Sequence, residues 1–250
     1  MKAAYLLLMA AYILPAACKK SVAQQDKTGT LKITFINTVK GSPVGLGGTV
    51  HTNPFGETYT ITKFKYYVSN VTVNGPAVVA EKESYHLIDE SNPASLSFSF
   101  TLKTNSYNAV QFLLGVDSLH NVSGAQTGAL DPLNDMFWTW NSGYVMAKME
   151  GTSPQSTQVN NKVEYHIGGF SGTNSALKNI SIPLSAAQLI DIKEGRISEV
   201  IIEADFNKWW QTPNDLKISV TPVCNTPGAL AKSVADNYSD MFSLRSVTNN

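Results

Sequence analysis

Three stretches of this sequence alternate apolar and polar residues with a period of two. Leu31, Ile33 and Phe35 are interleaved with Lys32 and Thr34; Leu96, Phe98, Phe100 and Leu102 with Ser97, Ser99 and Thr101; and Val110, Phe112, Leu114 and Val116 keep the same spacing. Successive side chains of a strand point to opposite faces, so this pattern demands strands with one buried face and disfavours helix over the same residues. Further strands are predicted over 60–73, 144–150, 162–167, 179–183, 196–206 and 216–222, separated by clusters of Gly, Pro, Asn and Ser. Short strands in this number, with few helical stretches between them, define an all-β, antiparallel, immunoglobulin-like β-sandwich with one or two short peripheral helices. One helix is predicted where Ser185 and Gln188 form a capping-box pattern ahead of Leu189, Ile190 and Ile192, with Gly195 closing it. The other is predicted over 229–244, after Pro227-Gly228, from the spacing of Leu230, Val234, Met241 and Leu244.

The N-terminus has a different character. Lys2 precedes a continuous apolar run over 3–14, followed by Pro15-Ala16-Ala17 and then Cys18. That run is too short to span a bilayer and reads as a secretory signal. A cysteine directly after it resembles the acceptor of a bacterial lipoprotein signal, whose thiol is lipidated. The chain is therefore expected to divide into a lipoprotein signal peptide (1–17), a polar tether (18–29) and one β-sandwich domain (30–250). This places the protein in the cell envelope of a Gram-negative bacterium, at the periplasmic face or the outer membrane, held to the membrane by an N-terminal lipid on Cys18. Cys224 is then the one thiol left, and the exported domain has no internal disulfide.

Charge narrows the partners. Nineteen basic and nineteen acidic side chains cancel, and no basic run exceeds Lys19-Lys20, so the electrostatic footprint of a nucleic-acid binder is missing. Catalytic signatures are missing too. Gly45-Leu46-Gly47-Gly48 leads into Thr49-Val50 rather than into a helix, so it is a loop and not a phosphate cradle. There is no Gly-x-Ser-x-Gly elbow and no His-Glu-x-x-His, and Asp131, Asn134 and Asp135 lack the spacing of a calcium loop. No enzymatic activity is expected.

Four histidines and an aromatic block remain. His51 and His86 read as ordinary hydrogen-bonded strand residues. His120 and His166 flank Met136-Phe137-Trp138-Thr139-Trp140, where two tryptophans at i and i+2 share one strand face and offer a soft, oxidisable surface. Imidazole nitrogen is a common ligand for copper and zinc. A second reading is a non-enzymatic cell-surface module for glycan or protein, presenting aromatic platforms from Tyr66-Tyr67, Trp209-Trp210 and Trp138. Neighbouring residues of a strand face opposite ways, so such a platform takes one of each adjacent pair.

Several motifs together resemble the MbnP-like domain family: Gly115-Val116-Asp117, Leu119-His120-Asn121, Asp131-Pro132-Leu133, the Met136 to Trp140 block with Gly143-Tyr144, and Tyr165-His166-Ile167-Gly168-Gly169. Thr52-Asn53-Pro54-Phe55-Gly56-Glu57, Phe64-Lys65-Tyr66-Tyr67 and Asp236-Asn237-Tyr238 extend the resemblance over nearly the whole mature chain. It implies an exported protein of copper acquisition or handling. It also implies copper held by His166 and His120, and a tryptophan, Trp138 or Trp140, oxidised to kynurenine by a di-haem peroxidase-like partner. The chain departs from those relatives of the family that carry a four-cysteine pattern, since Cys224 has no cysteine to pair with inside the domain.

Overall fold

A computed structural model describes residues 26–139 and 143–250. The segment read from sequence as a signal peptide, Cys18 and Trp140 lie outside the described residues. Ten strands carry the architecture: β1 (Thr28–Val39), β2 (Thr58–Asn74), β3 (Tyr85–Asp89), β4 (Ser97–Lys103), β5 (Ala109–Leu114), β6 (Gly143–Thr152), β7 (Lys162–Gly168), β8 (Lys178–Pro183), β9 (Ile197–Asp205) and β10 (Phe242–Asn249). Two helices are peripheral, the single turn α1 (Ser118–Asn121) and α2 (Ala229–Tyr238). β1 begins at Thr28, inside the segment read from sequence as tether.

One sheet has the order β10-β9-β1-β4, and the other β8-β5-β2-β6-β7, with the short strand Val223–Cys224 outside β7 and β3 also paired to β2. This is the expected all-β sandwich. Most pairs are antiparallel, but β1 and β9 run parallel from Thr30↔Ile197 to Thr38↔Asp205, and β7 runs parallel to Val223–Cys224.

The core lies where the alternating apolar residues of both sheets meet. Phe35 of β1 packs edge-on against Tyr66 of β2, Phe112 of β5 and Phe242 of β10, at centroid distances of 6.0, 5.9 and 6.2 Å. A second aromatic group joins Tyr59, Phe64, Phe206, Trp209 and Trp210. Burying a ring of this size stabilises the fold by about 1.5–3 kcal/mol before the cost of ordering it.

Four sequence expectations change. The 185–195 segment is not a helix. The Gln188 amide returns to the Ser185 carbonyl at 2.9 Å and closes one turn. Ile190–Ile192 then forms a strand on Asn105–Tyr107, with both isoleucines buried on one face. α2 stops at Tyr238 and Leu244 belongs to β10, where it faces Ile202 of β9. Residues 216–222 do not form a strand, because the Ile218 and Ser219 amides donate to the Glu57 carboxylate at 2.7 and 3.0 Å and are taken from any ladder. Phe98 and Phe100 are only half-buried, since among the described residues β4 pairs with β1 alone and leaves that end of the sandwich open.

The aromatic platform also fails at four of its five named residues, because Tyr66, Tyr67, Trp209 and Trp210 are all at most 2% exposed. β2 is covered on both sides. Tyr66 faces the core, while Tyr67 faces outward beneath the 117–137 segment, with its hydroxyl on the Ala129 carbonyl and its ring edge-on to Tyr144. Trp209 and Trp210 sit at the end of a 3-10 turn over Phe206–Trp209 rather than on a strand, so neighbours need not face opposite ways.

Candidate metal centre

The outer face of the second sheet carries the charged residues that alternate with its core positions. On β2 these are Lys63 and Lys65, on β6 Lys148 and Glu150, and on β7 Glu164 and His166. The register sets them side by side: Lys63 opposite Glu150, Lys65 opposite Lys148, Lys148 opposite His166 and Glu150 opposite Glu164. The intervening Phe64, Tyr66, Ala147, Met149, Tyr165 and Ile167 point into the sandwich and are buried. Period two thus places the imidazole and both carboxylates on one surface.

His166 Nε2 lies 2.9 Å from Glu150 Oε1. One ligand atom from each of Glu150, Glu164 and His166 falls within 4.8 Å of the others, and all three side chains are partly buried. The His166 hydrogen bond, reinforced by Lys63 against the opposing effect of burial, holds the Glu150 carboxyl down at about 2. Lys63 Nζ is 3.2 Å from Glu150 Oε2 and 3.0 Å from Asp135 Oδ2, and Lys162 Nζ is 2.6 Å from Glu164 Oε2. Asp135 also takes the nearly buried Lys148 at 3.0 Å. The acidic loop of the sequence therefore clamps the 131–138 segment onto a row of lysines: Asp131 caps the 3-10 turn Pro132–Asn134, and Asp135, at φ +61°, turns its carboxylate to the sheet.

That clamp brings Trp138 to the cluster. A cavity of about 350 Å³ is lined by Asp135, Phe137, Trp138, Lys148, Glu164 and His166, among others. Trp138 is 8% exposed and pairs with Gly143, and its six-membered ring lies over Gly168. A Cβ on Gly168 would stand 2.3 Å from Trp138 Cζ3, so the glycine is required for the approach. On its other side Trp138 borders a cleft of about 270 Å³ with Tyr144, Gly169, Phe170 and Pro227.

His120 is elsewhere. On α1, its Nδ1 is 2.6 Å from the Tyr85 hydroxyl and 3.1 Å from both carboxylate oxygens of Asp117. It lines a separate cavity of about 480 Å³ with Glu83, Gln126 and Thr127, which shares no lining residue with the cavity of His166. The expected pairing of His120 with His166 is thus not formed. The partners that His166 does have are Glu150 and Glu164. Glu164 was signalled in sequence by Glu164-Tyr165-His166, two ligand types at i and i+2 of a strand. Glu150 depends on the β6–β7 register, which sequence spacing does not reveal. His51 and His86 are structural, as expected: the His51 ring bonds the Val44 carbonyl at 2.7 Å, and His86 stacks on Phe98 at 3.5 Å. Cys224 is buried, which pushes its thiol up to about 11 and makes it a poor metal ligand.

Fold and site together define a β-sandwich protein with a histidine–carboxylate cluster and a sheltered tryptophan on the outer face of one sheet. The MbnP family model matches residues 28–226, and the chain belongs to that family. Among solved structures, MbnP from Methylosinus trichosporium aligns with a TM-score of 0.49 at 12% identity, over 76% of this chain and 80% of that one. No curated protein sequence matches the chain.

Proposed function

We propose that this protein is an exported, lipid-anchored copper-binding protein that takes part in copper acquisition or handling and performs no catalysis itself. The observation that carries the reading is the convergence of His166, Glu150 and Glu164, of which His166 and Glu164 line a cavity walled by Trp138. Membership of the MbnP family, which is linked to copper handling, supports it.

The donor set is one imidazole with carboxylate oxygens and no sulfur. That composition fits a divalent ion such as Cu(II) or Zn(II), and fits the softer Cu(I) poorly. His166 would supply the nitrogen, and Glu150 and Glu164 the charge-neutralising oxygens. Trp138 is the oxidisable side chain beside the cluster. Conversion of Trp138 or Trp140 to kynurenine by a di-haem peroxidase-like partner is part of the proposal.

Copper(II) titration of the purified chain tests the reading. One ion per chain is expected. His166→Ala should abolish binding, while His51→Ala and His120→Ala should leave it nearly unchanged. Equal binding by wild type and His166→Ala, or none by wild type, overturns it. Peptide mass spectrometry across 137–145 reports whether Trp138 is modified.

A further inference from the structure

Both carboxylates of the cluster already carry a cation from the chain. Lys63 reaches Glu150 directly across the β2–β6 register, with Nζ at 3.4 Å from Oε1 and 3.2 Å from Oε2, so it addresses both oxygens of the same carboxylate. Lys162 reaches Glu164 at 2.6 Å. Their surroundings differ. Lys63 has a second anchor at 3.0 Å in Asp135, the residue that clamps the tryptophan-bearing segment to the sheet. Lys162 is about as exposed as Lys63, 51% against 43%, but among the described residues it has no second carboxylate to hold it and sits two positions from Glu164 on the same strand.

We infer that Lys63 is a built-in competitor cation that sets the affinity threshold of the Glu150–Glu164–His166 cluster, admitting only divalent ions that bind strongly enough to displace an ammonium. The inference rests on the reading of that cluster as a metal site. An incoming ion competes for the Glu150 oxygens and is repelled by the ammonium. The displaced Lys63 keeps Asp135, so it need not leave the loop it braces. Affinity of nitrogen and oxygen sites rises along the first-row series to copper. A fixed penalty for every ion therefore leaves the copper end of that series loaded and the manganese end empty at equal concentration.

The test is titration of the full domain with Cu(II), Zn(II) and Mn(II), read by competition against a chromogenic chelator. Lys63→Met should tighten Cu(II) and Zn(II) alike by about tenfold, the scale of removing one nearby like charge at a partly exposed site, and should bring Mn(II) into measurable range. Lys63→Gln should do the same, which guards against a folding defect in one variant. Lys63→Arg should match wild type, and Lys162→Met should tighten binding less than Lys63→Met, because Lys162 lacks the second anchor that fixes Lys63 at the cluster. If wild type binds and neither neutral variant binds more tightly, the threshold role is overturned while the metal site stands. If wild type is empty and Lys63→Met loads, the competitor role is supported. If wild type and both neutral variants stay empty, the inference falls together with the metal reading.

Discussion

Gly168 lies directly beneath the indole of Trp138, close enough that a single added methyl would occupy the ring's own space. The glycine and the tryptophan come from different strands, and neither position can change without the other. Gly168→Ala should therefore lift the ring from the β7 backbone, cost about 1–3 kcal/mol through overpacking, and red-shift the tryptophan emission as Trp138 meets solvent. An unchanged denaturation midpoint and spectrum would show that the indole does not rest there.

Asp117, like Glu150, should contribute to the acid sensitivity of the fold. Burial opposes its ionisation, yet hydrogen bonds from the Tyr85 hydroxyl, the His120 ring and the His120 amide hold its carboxyl at about 2, below its ordinary 3.8. A carboxyl lowered in the folded state contributes stability that is complete above its unfolded value and is lost as pH falls through the folded one. The window thus runs from about pH 4 down to about pH 2. Urea midpoints across that window should fall less steeply in Asp117→Asn than in wild type, and identical slopes would contradict this account.

The two halves of the phenylalanine alternation should separate on mutation. Phe112 is buried among Phe35 and Phe242, so Phe112→Ala should cost about 3–5 kcal/mol. Phe100, on the open edge strand β4, should cost clearly less. Chemical denaturation of both variants decides it, and equal losses would place Phe100 in the core after all.

Glu57 should govern the order of the segment that precedes Val223–Cys224. Its carboxylate accepts from the Ile218 and Ser219 amides, the Ser219 hydroxyl and Asn53 Nδ2. Glu57→Gln keeps the size but replaces an acceptor oxygen by a donor, leaving buried amides unpaired at a cost of about 1–3 kcal/mol. Hydrogen exchange should accelerate over 214–222 and little elsewhere.

Anchoring is tested at Cys18. Expressed with its own signal in a Gram-negative host, the wild type should partition with membranes, and Cys18→Ala should be released or left unprocessed. Recovery of wild type free in the periplasm, with an unmodified N-terminus beyond Cys18, would refute lipidation.

Much of the fold was legible because period two is a local signal. Leu31, Ile33, Phe35, Phe112 and Leu114 are buried as their spacing requires. The errors fall where a distant group overrules the local one. Glu57 withdraws two amides from a predicted strand. Strand pairing with β9 claims Leu244, which helical spacing had assigned to α2. The 117–137 segment covers Tyr67, which a simple sandwich would leave facing solvent. At the site, His166 and Trp138 were readable from their motifs, whereas the identity of their partners depended on register. A two-residue slip of β6 against β7 would keep both faces but set Lys148 or Thr152 opposite Glu164, and nothing in the spacing of Glu150 forbids it.

The parallel pairing of β1 with β9 also has a consequence for how the chain acquires its structure. Thr34 of β1 donates to Glu199 of β9, a partner 165 positions later, and the antiparallel neighbour on its other edge is β4. One edge of β1 can be covered once residue 103 is present, but the other finds its partner only once residue 205 is. Local hairpins such as β6–β7 can close early. The sheet built on β1 is a late, high-contact-order event that should set the folding rate. A chain of this design keeps one edge of β1 open until nearly all of it has been delivered.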